Sequence, residues 1–161
     1  ALSGCASVDV NHYAAERPKL DLKTYFNGKV DAWGTFQDRS GQVVKRFTVA
    51  MEGRWEGDTG TLDELFTYSD GTTERRVWTL RKEGDRYTGT AADVVGSAVG
   101  QAAGNALRWN YILALKVDGS TYHMDMDDWM WMMDDTTLLN KTTMSKLGVR
   151  LGEVTIFFRK R

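Results

Sequence analysis

Alternation of apolar and polar residues dominates the chain once its first thirty positions are passed. Phe47, Val49 and Met51 alternate with Thr48, Ala50 and Glu52, which predicts a half-buried strand over 43–53. Leu62, Glu64, Phe66 and Tyr68 continue the period, and a further run over 73–81 carries Val77, Trp78 and Leu80. Strands are also predicted over 30–36, 86–91, 107–117, 120–133, 136–146 and 153–159. Asp38-Arg39-Ser40-Gly41, Ser69-Asp70-Gly71-Thr72, Glu83-Gly84-Asp85 and Asp118-Gly119 supply the turns between them. Before the strands, Asp21 is a candidate N-cap and Gly28 a candidate stop for a short helix over 21–27.

About nine long strands joined by short turns predict an all-β fold, an antiparallel barrel or sandwich. Large aromatics on both strand faces, consecutive hairpins and a helix placed to plug one end favour the barrel. The expected form is an up-and-down, lipocalin-like barrel of about 8–10 strands, with an interior wide enough for one small ligand.

The turn at Asp70-Gly71 decides which side chains meet. A two-residue loop would pair Phe66 with Arg75. A three-residue loop with Gly71 in a bulge pairs Glu64 with Arg76, and this is preferred because it opposes unlike charges and sets Trp78 beside Leu62. An inward Arg76 is a candidate for gripping a fatty-acid carboxylate, with a structural ion pair or a solvated face as the plainer alternative.

Two segments break the pattern. Residues 93–105 lack strand character and carry Gly96, Gly100 and Gly104 at every fourth position, so they are expected to form a surface loop or a lid over an open end. Over 124–135, Met124, Met126, Asp128, Met130 and Met132 share one strand face, while Asp125, Asp127, Trp129, Trp131 and Met133 share the other. Methionine adapts to irregular apolar ligands, so the first face reads as a binding wall or as ordinary core. The aspartates are split between faces and lack a calcium-loop glycine, so no metal site is predicted.

Composition narrows the classes. A net charge of −1 gives no electrostatic footprint for nucleic acid. A lone cysteine allows no internal disulfide, and 161 residues suffice for one packed core. That cysteine stands in Leu2-Ser3-Gly4-Cys5, the pattern of bacterial lipoprotein processing. The expected organisation is a signal-peptide remnant at 1–4, a lipidated Cys5 with a tether over 5–19, and a barrel over 20–161. Several acyl chains hold a protein stably at a membrane, and Ala6 after the cysteine points to the outer membrane of a bacterial envelope. Catalytic signals are weak: of two histidines, His12 falls in the tether and His123 on a strand, and no serine sits in a nucleophile elbow.

A set of local motifs spans nearly the whole domain. These are Asp38-Arg39-Ser40-Gly41, Tyr68-Ser69-Asp70-Gly71, Asp93-Val94-Val95-Gly96, Gly104-Asn105-Ala106-Leu107-Arg108-Trp109, Asp127-Asp128-Trp129-Met130, Leu139-Asn140-Lys141, Met144-Ser145-Lys146 and Gly152-Glu153-Val154. With them, 33–159 resembles a family of bacterial lipoproteins catalogued as domain of unknown function 3833. The resemblance implies a calycin barrel and a lipid anchor, assigns no activity or site residues, and tilts the expected ligand toward lipids. Asp31-Ala32-Trp33 stands where lipocalins proper carry Gly-x-Trp, with Trp33 expected at the barrel base against Arg159.

The first expectation is therefore a monomeric, lipid-anchored binding module for a fatty-acid-like or other apolar molecule, without a cofactor. Its expected ligand-binding residues are Arg76, Trp78, Trp109, Tyr111, Asp128 and Met130. A lipid-modifying enzyme using Asp128 or His123 as acid or base, and an envelope scaffold with a filled barrel, are the alternatives.

Overall fold

Ten antiparallel strands close into one barrel in the computed structural model, which describes residues 8–161. The strands are β1 (Gly28–Asp38), β2 (Val43–Glu56), β3 (Thr59–Tyr68), β4 (Thr73–Glu83), β5 (Arg86–Thr90), β6 (Val94–Ala103), β7 (Ala106–Val117), β8 (Ser120–Met132), β9 (Thr137–Lys146) and β10 (Val149–Lys160). Each pairs with its sequence neighbour, and β1 pairs with β10 to complete the ring. The all-β, up-and-down barrel expected from the alternation is the fold observed. Cys5, on which the lipidation expectation rests, lies outside the described residues.

Turn chemistry sets the register. Tyr68 and Thr72 bracket the three-residue loop Ser69-Asp70-Gly71, with Gly71 at φ +85°. The left-handed conformation that glycine adopts freely makes the bulge that this loop needs. Glu64 accordingly faces Arg76 and Leu62 faces Trp78, the pairing preferred from sequence.

The two ends of the barrel differ. At one end a short helix α1 (Leu22–Tyr25) forms a plug, while a 3-10 turn (Val10–Tyr13) packs on the outside of the wall. Asp21 caps α1 by accepting from the Lys23 amide. Leu20, Leu22, Tyr25 and Phe26 are buried against Val30, Leu80, Tyr87, Leu107, Leu138 and Phe158 from the strands. Polar ties fasten the same end: the Trp55 indole donates to the Phe26 carbonyl, Tyr25 to the Thr136 carbonyl, and Lys160 to the Tyr25 carbonyl. Gly53 is required beside the plug, because a Cβ there would run into the Phe26 carbonyl. Before the helix, Tyr13 packs edge-on against the stacked Trp129–Trp131 pair on the outer wall, so 10–13 are docked rather than free.

The segment expected to be a loop or lid, 93–105, is instead mostly strand β6 with a register shift between Val95 and Val99. Its small residues answer a neighbour's bulk. A Cβ on Gly100 would collide with the Trp109 indole, which also covers Gly89. Gly104 turns at φ +56° beneath the Tyr13 carbonyl. Trp33 also departs from expectation: it lies on the outer face, 47% exposed, against Phe157 rather than at the barrel base. Val30 and Ala32 point inward on the same strand, and the period of two then sends Trp33 outward.

Candidate functional site at the hairpin end

Inward side chains grade from buried to half-exposed along the barrel axis. Near the plug, Val30, Met51, Leu62, Leu80, Tyr87, Leu107, Leu138 and Phe158 are all buried. Toward the β1–β2, β3–β4, β7–β8 and β9–β10 hairpins, inward Phe36, Phe47, Phe66, Tyr68, Leu115, Leu151 and Ile156 are only partly buried. The hairpin end is thus a mouth lined by aromatic and aliphatic side chains. Phe47, Phe66 and Tyr68 pack on one another there, with ring centroids 5.8–6.3 Å apart. Met124, Met126, Met144 and Leu113 form a separate small apolar cluster on the opposite wall.

Beneath the mouth lies a polar layer. Arg76 donates from Nε and Nη2 to the Asp93 carboxylate at 2.7–3.0 Å, and its guanidinium sits 5.4 Å from the Phe66 ring centre. Burial works against the Arg76 charge, but the bonds to Asp93 and the charge of Glu64 outweigh it and keep the group cationic. Glu64 is 8% exposed and its Oε1 has no hydrogen-bond partner among the described residues. Burial pushes the Glu64 carboxyl up to about 7, against the downward pull of Arg76 and the Trp78 indole. An unpaired buried carboxylate is costly, and burial therefore favours the protonated form.

On the far wall, Asp128 accepts from the Asn140 amide, and Thr142 donates to Asn140 Oδ1 at 3.4 Å. All three side chains are buried. Burial dominates Asp128 and lifts its carboxyl to about 8, despite its bonds to Thr142 and Asn140. Tyr111 lies between the walls, its phenol pushed up by burial and by the charge of Asp128. Its ring is 5.4 Å from Trp78, and Trp78 in turn is 5.6 Å from Trp109.

The six expected ligand-binding residues all sit on inward faces. The structure groups Arg76, Trp78, Tyr111 and Asp128 around the polar layer. Trp109 lies deeper, packed over Gly89 and Gly100, and Met130 packs partly buried against the core. Asp93, Asn140 and Thr142 join the layer without having been singled out by the sequence pattern. Arg76 faces Glu64 across the ladder but is held by Asp93, which enters from the β5–β6 connection. A fork already occupied by a carboxylate is poorly placed to grip a second one. His123 is exposed on the outer face, where Lys146 bonds its backbone carbonyl, so its imidazole points away from the barrel interior.

Two depressions lie on the outer wall. One of ≈ 580 Å³ crosses β10, β1, β2 and β3 beside Trp33, Arg46 and Phe157. The other, ≈ 330 Å³, lies by the 3-10 turn between His12, Glu16, Asn105 and Trp131. Among the described residues no cluster of His, Cys, Asp and Glu is arranged to hold a metal ion, and no helix is long and apolar enough to cross a membrane.

Residues 1–160 match the family described as "Protein of unknown function (DUF3833)". The chain belongs to that family. The DUF3833 barrel is similar in fold to a protein of unknown function from the DUF3598 family of Nostoc punctiforme PCC 73102, with a TM-score of 0.64 and 12% identity. That match covers 91% of this chain and 51% of the other, so the DUF3833 chain spans about half the length of that protein. A de novo designed fluorescence-activating β-barrel aligns with a TM-score of 0.43, 13% identity and coverage of 88% and 99%. The protein EF1p2_mFAP2b bound to DFHBI aligns with a TM-score of 0.46, 10% identity and coverage of 94% and 99%. No curated protein matches the DUF3833 chain.

Proposed function

We propose that this protein is a lipid-anchored envelope carrier or sensor whose barrel takes one apolar small molecule through the hairpin end. The observation that carries the reading is the asymmetry of the barrel: one end is plugged by buried apolar side chains, while the other presents partly buried apolar side chains above a small polar layer. Concave apolar linings with a few placed polar groups are the common form of small-molecule sites. The part of these aromatic rings still open to solvent is costly to leave in water, which favours an occupant. The methionines of β8 and β9 can repack around a ligand of irregular shape.

The anchor is proposed from Leu2-Ser3-Gly4-Cys5 alone. Incorporation of labelled palmitate by the native bacterium, lost in Cys5→Ala, tests it. Native mass spectrometry of protein purified from its own host, followed by lipid extraction, tests the cargo. A bound molecule of defined mass supports the carrier reading. Empty protein that takes up no apolar probe favours the scaffold, to which the filled helix end of the barrel already lends support.

A further inference from the structure

Among the described residues, Glu64 is the one strongly buried acid in the barrel with an oxygen that finds no donor. Its surroundings are otherwise settled. On β2 its cross-strand neighbour is Met51, which offers no hydrogen bond. On β4, Arg76 is committed to Asp93, and together they form a neutral pair. On β7 and β8, Tyr111 and Asp128 face the same layer, and Asp128 is already bonded to Asn140. Asp63, next in sequence, points outward to Arg75. The layer therefore sets one cation, Arg76, against the carboxyls of Glu64, Asp93 and Asp128; the Arg76 charge and the Trp78 indole act on Glu64, but its Oε1 is left without a donor.

A carboxylate ligand would add a further acid and find the Arg76 guanidinium occupied. A protonated amine would do the reverse: it would donate to Glu64 Oε1 and balance the charge that burial now suppresses. We infer that the ligand of the barrel is an amphiphile with a protonated amine head, seated on Glu64 beneath the aromatic mouth. This inference rests on the proposed apolar-ligand reading and specifies its polar end.

The linkage has a definite sign. Glu64 is largely protonated below about 7, so it loses its charge for the amine as the pH falls. Affinity for the amine is then expected to drop about tenfold between pH 8 and pH 6. Asp128 titrates in the same range, and a neutral probe of equal chain length reports whether its protonation alters the barrel independently.

The test uses the full chain and three probes: dodecylamine, dodecanol and dodecanoate, below their micelle concentrations. Binding is read by calorimetry and by tryptophan fluorescence. The expected result at pH 8 is amine binding at least tenfold tighter than dodecanoate, falling with acid, while dodecanol stays flat. In Glu64→Gln the amine preference and its pH dependence should vanish. Should that variant fail to fold, the wild-type pH profile still decides. Equal or tighter binding of dodecanoate, or an amine preference retained in Glu64→Gln, overturns the inference while leaving the mouth reading intact. Binding of none of the three overturns both.

Discussion

The Tyr87 hydroxyl on β5 donates a 2.7 Å hydrogen bond to Asp21, the residue that caps the plug helix. The same hydroxyl accepts from the Leu22 amide at 3.3 Å, and Lys82 reaches Asp21 at 3.1 Å. One buried tyrosine thus ties a four-residue helix to the barrel wall. Such a helix is far too short to be stable alone. Tyr87→Phe keeps the ring and removes the tie, so a loss of about 1–2 kcal/mol is expected in urea unfolding.

Asp21 carries the acid sensitivity of this tie. Burial alone would raise its carboxyl, but the bonds from Tyr87, Lys82 and Thr24 outweigh burial and hold it below its ordinary value. A depressed acid stabilises the fold above its unfolded pKa and loses that contribution as pH falls through its folded value. Stability measured from about pH 5 down to about pH 2 should therefore fall more steeply in the wild type than in Asp21→Asn.

Asp128 behaves in the opposite sense. Its folded-state value of about 8 lies above the unfolded one, so its contribution is complete in acid and is lost as pH rises toward 8. Asp128→Asn keeps an acceptor for Asn140 and removes the titration. Between about pH 6 and about pH 8, unfolding free energy of the wild type should decline relative to the variant, by up to about 1.4 kcal/mol per pH unit. Parallel profiles for the two proteins would refute the buried-acid account.

Gly100 leaves the space that the Trp109 indole fills. Gly100→Val would force the indole to shift against Gly89 and Trp78. Overpacking of this kind costs about 1–3 kcal/mol, readable as a lower Tm and a changed tryptophan emission.

Phe66 lines the mouth and lies beside the Arg76 guanidinium. Phe66→Ala should weaken binding of an apolar probe about tenfold, since it removes one of the three packed rings that line the mouth. Unaltered affinity would place the ligand elsewhere.

The barrel was legible in the sequence where side chains alternate and turns carry their own chemistry. At the β3–β4 turn Gly71 allowed two registers, and the opposition of unlike charges together with the Trp78–Leu62 pair picked out the observed one, Glu64 against Arg76. Strand β6 was not legible, because its inner residues Ala98, Gly100 and Ala102 are small for the sake of Trp109 on the next strand. That constraint is tertiary and leaves no periodic apolar signal. Reading β6 as a loop also hides Asp93, whose position depends on where that strand begins. Without Asp93, Arg76 looks free and Glu64 looks paired; the structure exchanges those roles. Asn140 and Thr142 alternate with Leu138 and Met144 on β9, so their inward direction was readable, but not the acid they meet.

The seam between β1 and β10 has a consequence for how the molecule meets its own kind. Cross-strand pairs running from Val30–Lys160 to Asp38–Gly152 occupy the edges that an open sheet would leave bare. Trp33, Val77, Val99, Ile112 and Phe157 are exposed on the outer wall, a surface that in an open sheet would invite strand-by-strand growth into fibrils. A ring offers no terminal strand for another chain to extend, so sticky patches on this wall can be tolerated at high local concentration without seeding aggregates.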